Sequence, residues 1–475
     1  MIAGLLLFLV LPLVIGSVVY VVRRWSMLSA LLSIGTTLVL GLVIMLLPLG
    51  QTVELWGRQI VMGGTVSFLG RELILEEVDR IAIAFLYLTA SGIFLLAWQV
   101  SPSGLLFPVG FGMLSLLSGS LLIRPLIYAV LLVEMAIAIS VFALQPEGRP
   151  PARGVLKYLA FSLLALPGLL VIHWLMDRYA LTPDDTRLLD MAAILLAFSF
   201  ALLMGSVPFY MWVPSMADDS DPLASAFVFS VNHGAIWFLL LAFLETYPRL
   251  SSYARFDSIA SGAGLAMVSV GGILAASQRH FGRLMGFGAL IDSGVALVAL
   301  GMGSEQGLAL ALLSLLVRPF GLALMAAGIG GLEARSDQGL SMEDVSGLAR
   351  RAPWSTFAFV SGAVSTAGLP VSAGFAGRWT LFRAVGSSSF TSVLTMVAAG
   401  VGLMFGVGRA LSALLSEERE EPMAEEEDVL GKALGRPIGG VVLLVVVASS
   451  VVGLTPHLLA QIAARLAELY TFLAQ

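Results

Sequence analysis

The sequence predicts an all-α polytopic membrane protein, and three observations carry that expectation. The chain of 475 residues is 58% hydrophobic and only 12% charged, more apolar side chain than a soluble fold of this size can hide. Apolar runs of about twenty residues recur from one end to the other, each long enough to cross a ~30 Å hydrocarbon core. Turn-forming and charged residues punctuate the intervals between them.

Taken in order, the runs give about fourteen spans, at residues 2–22, 27–48, 80–98, 104–123, 125–145, 154–175, 189–211, 223–246, 257–276, 283–302, 306–330, 354–384, 390–414 and 437–457. The opening "MIAGLLLFLVLPLVIGSVVYVVRRW" lacks a basic n-region and a small-residue cleavage site, so it reads as a first span. The closing "LLAQIAARLAELYTFLAQ" has helical periodicity and is expected along the membrane or a neighbouring helix. Between them the chain divides into an N-terminal three-helix segment (1–100), two five-helix units (101–250 and 251–415) and a C-terminal part (416–475). The clear charge run, "SEEREEPMAEEED" from Ser416 to Asp428, reads as a solvated loop. Basic residues in alternate loops favour, by a small margin, both termini on the outer side of a prokaryotic-type cytoplasmic membrane.

Composition also excludes functions. With no cysteine, neither a thiolate-held iron–sulfur cluster nor a disulfide is available. No Walker or Rossmann glycine pattern sits between a strand and a helix. A net charge of −5 gives no reason to expect nucleic acid. No cofactor is expected, and the partners implied are lipid, other membrane subunits and a transported ion.

Two spans are interrupted. The seventh carries "MGSVPFYMWVP", with Gly205, Pro208 and Pro214; the twelfth carries "GLPVSAGFAGRWTLFRA", with Gly368, Pro370, Gly374 and Gly377. Pro208 lies 104 residues beyond the start of the fourth span, and Pro370 lies 113 beyond the start of the ninth. Breaks at matching places in two five-helix units suggest inverted repeats with an ion site beside each break. Broken backbone at membrane depth persists only where protein or internal water satisfies it.

Ionisable side chains inside spans cost at least ~2.5 kcal/mol and mark site candidates. Glu134 is mid-way along the fifth span, Asn232 and His233 along the eighth, and Arg318, followed by Pro319, along the eleventh. Arg378 follows the break in the twelfth. Asp292 and Arg409 are placed toward span ends, where snorkelling explains them; His173 and Asp190 read as structural.

These residues sit in segments that resemble a known family. "GSVPFYMWVPSMADDSDPLASAFVFSVNHGAIWFLL", "SQRHFGRLMGFGALIDSG", "LLSLLVRPFGLALMAAGIGGL", "VSGLARRAPWSTFAFVSGAVSTAGLPVSAGFAGRWTLFRA" and "GVLKYLAFSLLALPGLL" are similar to motifs of the antiporter-like membrane subunits of respiratory complex I. Membrane-bound hydrogenases and multisubunit sodium/proton antiporters share those subunits. The likeness covers about residues 75–415. It implies fourteen helices, two inverted five-helix repeats and a line of buried carboxylate, lysines and histidines at the membrane midplane. The fifth-span glutamate of the family falls on Glu134. Its seventh-span lysine falls on Leu203, its eighth-span lysine on Asn232 beside His233, its eleventh-span lysine on Arg318 and its twelfth-span relay residue on Arg378.

The chain departs from that pattern in one respect. Its two lysines, Lys157 and Lys432, are both outside the middle of any span. Buried lysine can release a proton, whereas arginine stays protonated. Three readings follow from the resemblance. The chain is a membrane subunit, without a redox centre, of a complex I-like or hydrogenase-type assembly that couples redox chemistry elsewhere to proton movement. Alternatively it is a non-conducting scaffold of such a complex, or a subunit of a multisubunit antiporter carrying protons against a cation such as sodium.

Overall fold

The computed structural model describes residues 2–46, 52–55, 58–61, 65–68, 70–100, 105–146, 151–251, 253, 255–336, 340–416 and 438–473. Helices dominate. α1 (Leu7–Val21) and α2 (Ser26–Leu46) lead into α3 (Glu77–Val100), α4 (Leu106–Leu122), α5 (Ile127–Leu144) and α6 (Arg153–Leu181). Next come α7 (Thr186–Met204), α8 (Trp212–Asp219), α9 (Pro222–Phe227) and α10 (His233–Thr246). A short α11 (Pro248–Ser251) precedes α12 (Phe256–Ser277), α13 (Phe281–Leu300) and α14 (Glu305–Glu333). After the one-turn α15 (Leu348–Arg351) follow α16 (Pro353–Ala367), α17 (Ala373–Gly386), α18 (Phe390–Leu415), α19 (Ile438–Leu454) and α20 (His457–Glu468).

Eleven of the described helices are long and apolar enough to cross a membrane, twelve if the bent α19–α20 pair counts as one. The expected count of fourteen is not reached by that measure. The fourth expected span is only 17 residues long, and the twelfth is divided into pieces of 15 and 14 residues. The acidic run beyond Ser416 lies outside the described residues.

Span reading assigns no element between residues 48 and 80. There the structure places strands, too short to declare themselves by alternation. β1 (Ile2–Ala3) pairs parallel with β3 (Arg58–Val61), and β2 (Thr52–Leu55) pairs with β3 antiparallel, Thr52 opposite Val61. β5 (Arg71–Leu73) lies antiparallel between β4 (Val66–Phe68) and β6 (Ile123–Arg124).

The helices form inner and outer layers. In the most apolar stretch of 222–246, 94% of the residues are buried, and in those of α13 and α14 89% and 83%, against 33% in α6 and α18. Lipid tails are as apolar as leucine, so hydrophobicity cannot choose which helix goes inside. Small residues and polar contacts choose instead. α14 is the hub: it packs on α13, α16, α17, α9, α3 and α20. The tail helix α20 therefore lies against a neighbour, as its amphipathic period requires. Arg465 reaches Glu77 at 3.4 Å, and Glu245 accepts hydrogen bonds from the backbone N–H groups of Thr471 (2.9 Å) and Phe472 (3.2 Å).

Both expected breaks are present, and they are built alike. α7 ends at Gly205 (φ 66°), with the Ser206 N–H donating to Ala201 O at 2.7 Å; α16 ends at Gly368 (φ 70°), with the Leu369 N–H donating to Val364 O at 3.1 Å. In each, a left-handed glycine closes the helix and the residue after it bonds five residues back, the Schellman termination. The chain then runs irregularly through Pro208 to α8 and through Pro370 to α17. A β-carbon at Gly368 would also collide with the Arg378 side chain. Gly368→Ala is therefore expected to lower stability by more than the ~1–2 kcal/mol of a left-handed L-residue alone. Gly35→Ala, whose β-carbon meets nothing within 4 Å, should be neutral or stabilising. Thermal unfolding of the two purified variants in one detergent checks the contrast.

Candidate functional site: a buried polar line between the two broken helices

The first break positions an aromatic platform. Trp212 opens α8 fully buried, and its indole N–H donates back across the break to Leu202 O at 3.2 Å. Its ring lies against Tyr158 of α6 (centroids 4.7 Å) and meets the His233 ring edge-on at 5.6 Å. A π-helical turn, Val228–Asn232, joins α9 to α10 and ends at His233; such turns recur at functional sites.

From that platform a line of polar groups runs through the inner layer. Glu134, in the middle of α5, is buried within electrostatic reach of the Tyr158 hydroxyl. Asn232 donates its side-chain amide to that hydroxyl at 3.3 Å. His233 Nδ1 is 3.3 Å from Arg318 Nη2, which also donates to Ala289 O at 3.2 Å. Neighbouring residues on a helix point in different directions. Asn232 therefore faces α6 while His233 faces α14, and the line passes through the thickness of one helix. Beyond Arg318 comes Asp292 of α13, within electrostatic reach. Asp292 forms an ion pair with Arg378 Nη2, and the same nitrogen donates to Thr366 O in the last turn of α16. The second break is thus held by the arginine that follows it.

Several atoms along this line have no hydrogen-bond partner in the protein: Glu134 Oε1, Asn232 Oδ1, His233 Nε2, Arg318 Nε, Thr366 Oγ1 and Arg378 Nη1. Native interiors leave few such atoms, because each costs about 1–3 kcal/mol. Their gathering on one line is what bridging water satisfies. A cavity of about 10 Å³ lined by Asp292, Ser314, Arg318, Thr366 and Arg378 has room for one water.

The structure thus gathers all four residues singled out in the sequence, Glu134, His233, Arg318 and Arg378, with His233 and Arg318 in direct contact. Leu203 is buried in the last turn of α7 and supplies no cation toward Glu134. One placement is corrected. Asp292 does not snorkel from a helix end; eleven residues of α13 precede it and eight follow, and it turns inward to Arg378. Arg409 does lie toward the end of α18, where it donates to Ala276 O at 2.8 Å. His173 meets the Tyr247 hydroxyl away from the line, and Asp190 is exposed. Sequence reading missed Tyr158, Trp212 and Thr366. An aromatic residue in an apolar span carries no mark of its partner.

This fold and site define a class: a polytopic helical membrane protein with two broken helices joined by a buried line of ionisable groups. Residues 155–404 match the model of the family described as "NADH:quinone oxidoreductase/Mrp antiporter, TM". The chain belongs to that family. It is 29% identical over 297 residues to the NADH-quinone oxidoreductase subunit N of Cereibacter sphaeroides, covering 60% of this chain and 63% of that protein. Against the first curated relatives it matches, the chain spans about half their length, 46% for subunit N of Methylobacterium nodulans. The fold is shared with a chain of the Mrp complex from Dietzia sp. DQ12-45-1b (TM-score 0.79, 18% identity, 98% of this chain and 97% of that one). It is shared also with a chain of respiratory complex I from Thermus thermophilus with bound NADH (TM-score 0.75, 19% identity, 99% and 100%).

Proposed function

We propose that this chain is an antiporter-like membrane subunit that carries protons along the buried line while redox chemistry proceeds in other subunits of a complex I-like or hydrogenase-type assembly. The observation that supports it most is the succession of buried polar groups from Glu134 through Tyr158, Asn232, His233, Arg318 and Asp292 to Arg378, directly bonded at Tyr158–Asn232, His233–Arg318 and Asp292–Arg378. It links the two helix breaks across the inner layer. Relatives named as NADH-quinone oxidoreductase subunits point the same way. On this reading the five-helix units 101–250 and 251–415 are inverted repeats, each contributing one break and half of the path. Both termini then lie outside the cytoplasm.

The residues divide by chemistry. Glu134 and His233 can gain and lose a proton. Tyr158 and Asn232 can hold and orient. Arg318 and Arg378 stay charged and set the field. The relay is thus altered relative to one built on lysines.

The decisive variant is Glu134→Gln, similar in shape but unable to titrate. In the native assembly, reconstituted in vesicles with a pH-sensitive dye, it should lower proton uptake per electron transferred while leaving assembly intact. His233→Ala should weaken uptake too. Normal uptake and normal assembly in both variants would sink the conducting reading. Flavin and iron in the purified assembly would favour the redox complex over a stand-alone antiporter.

A scaffold reading has one observation in its favour. Two of the line's members are permanent cations, and one of them, Arg378, ties three helices together.

A further inference from the structure

We propose that Asp292 is the proton-carrying group of the second half of the line, with Arg378 as its counter-ion. This rests on the conducting reading above. Between His233 and the second break, Arg318 and Arg378 are the charged groups sequence reading singles out. Neither can release a proton, so a path made of them alone would end at His233. The structure supplies what is missing. Asp292 is the one carboxylate among the described residues that line the cavity shared by the two arginines. It comes from the middle of α13 and reaches α17 through Arg378.

The groups facing Asp292 define what a proton does there. Arg378 pairs with it directly, Arg318 lies within electrostatic reach and His233 is one contact further along. A proton delivered from the His233 side, through water in the cavity, bonds to a carboxylate oxygen and converts –COO⁻ to –COOH. The ion pair to Arg378 is then lost, and the guanidinium keeps only its bond to Thr366 O at the broken end of α16. Release of the proton on the far side restores the carboxylate and re-forms the pair. Nothing is oxidised or reduced, and one proton enters and leaves. The guanidinium of Arg378 is the counter-charge of the carboxylate form, and Thr366 O holds that guanidinium in place when the pair opens.

The test compares Asp292→Asn, Asp292→Glu and Glu134→Gln in the reconstituted assembly. Asp292→Asn should lose the same share of proton uptake per electron as Glu134→Gln, and Asp292→Glu should retain most of it. Loss in Glu134→Gln with full uptake in Asp292→Asn would overturn the inference while leaving the conducting reading standing. Full uptake in both would overturn the two together. If Asp292→Asn does not assemble, infrared difference spectra of aspartate-labelled assembly during turnover decide instead. A labelled carboxylic-acid C=O band that vanishes in Asp292→Glu supports the assignment; no such band overturns it.

Discussion

Trp212→Ala should destabilise the chain by about 3 kcal/mol, the lower end for removing a buried tryptophan. The lower end is expected because lipid is already apolar. The hydrophobic part of the cost is small in a membrane, and the lost packing and hydrogen bond remain. Those losses are concrete. The Trp212 N–H is the side-chain tie from α8 back to the carbonyl end of α7 at Leu202, and its ring separates Tyr158 from His233. Trp212→Phe should recover most of the packing without the hydrogen bond. Denaturation of the purified chain in mixed detergent, read against both variants, separates the two contributions. Equal stability of Trp212→Ala and the parent would show that the break is held by its backbone alone.

Arg378→Met should cost more, about 3–5 kcal/mol, because removing one member of a buried ion pair leaves the other charge uncompensated. The stranded group is Asp292, and the Thr366 carbonyl loses its donor as well. Adding Asp292→Asn to Arg378→Met should return part of that loss, since the pair couples the two positions. Arg378→Lys is the subtler case. One guanidinium nitrogen serves a carboxylate on α13 and a carbonyl on α16 at once, and a lysine ammonium on a flexible stem does not reproduce that fork. Complex yield and heat stability should therefore fall with lysine, even though lysine keeps the charge. Intact assembly with altered pumping in Arg378→Lys would instead speak against the scaffold reading at this position.

The breaks were legible in the sequence because glycine and proline are the residues that end helices, and they stood inside runs with nothing else to stop them. Glu134, His233, Arg318 and Arg378 were legible for a similar reason: a charged or titratable side chain in an apolar run is expensive enough to need an explanation. The partners were not. Asp292 reads from the sequence as a helix-end residue because hydropathy cannot fix a boundary within a few residues. Position along a helix also says nothing about which way a side chain turns. Tyr158 looks like ordinary membrane aromatic content until Asn232 is found bonded to it. The small sheets before α3 have strands of two to four residues, too few for alternation to register. The fourteen expected spans count α16 and α17 as one broken span, and each piece alone, 15 and 14 residues, is too short to cross a membrane by itself.

The π turn at Val228–Asn232 has a consequence for reading related chains residue against residue. Such a turn holds one residue more than an α turn, and each residue of an α-helix advances the angular position by about 100°. Everything from His233 onward is therefore rotated by that amount relative to a regular continuation of α9. Regularising the turn without removing a residue would swing the imidazole about 100° away from Arg318, whereas deleting one residue should restore an ordinary helix and leave His233 facing Arg318. A helical wheel drawn across this segment from its upstream half will assign the downstream side chains to the wrong faces. Any alignment through it needs a one-residue phase shift before positions on the two sides can be equated.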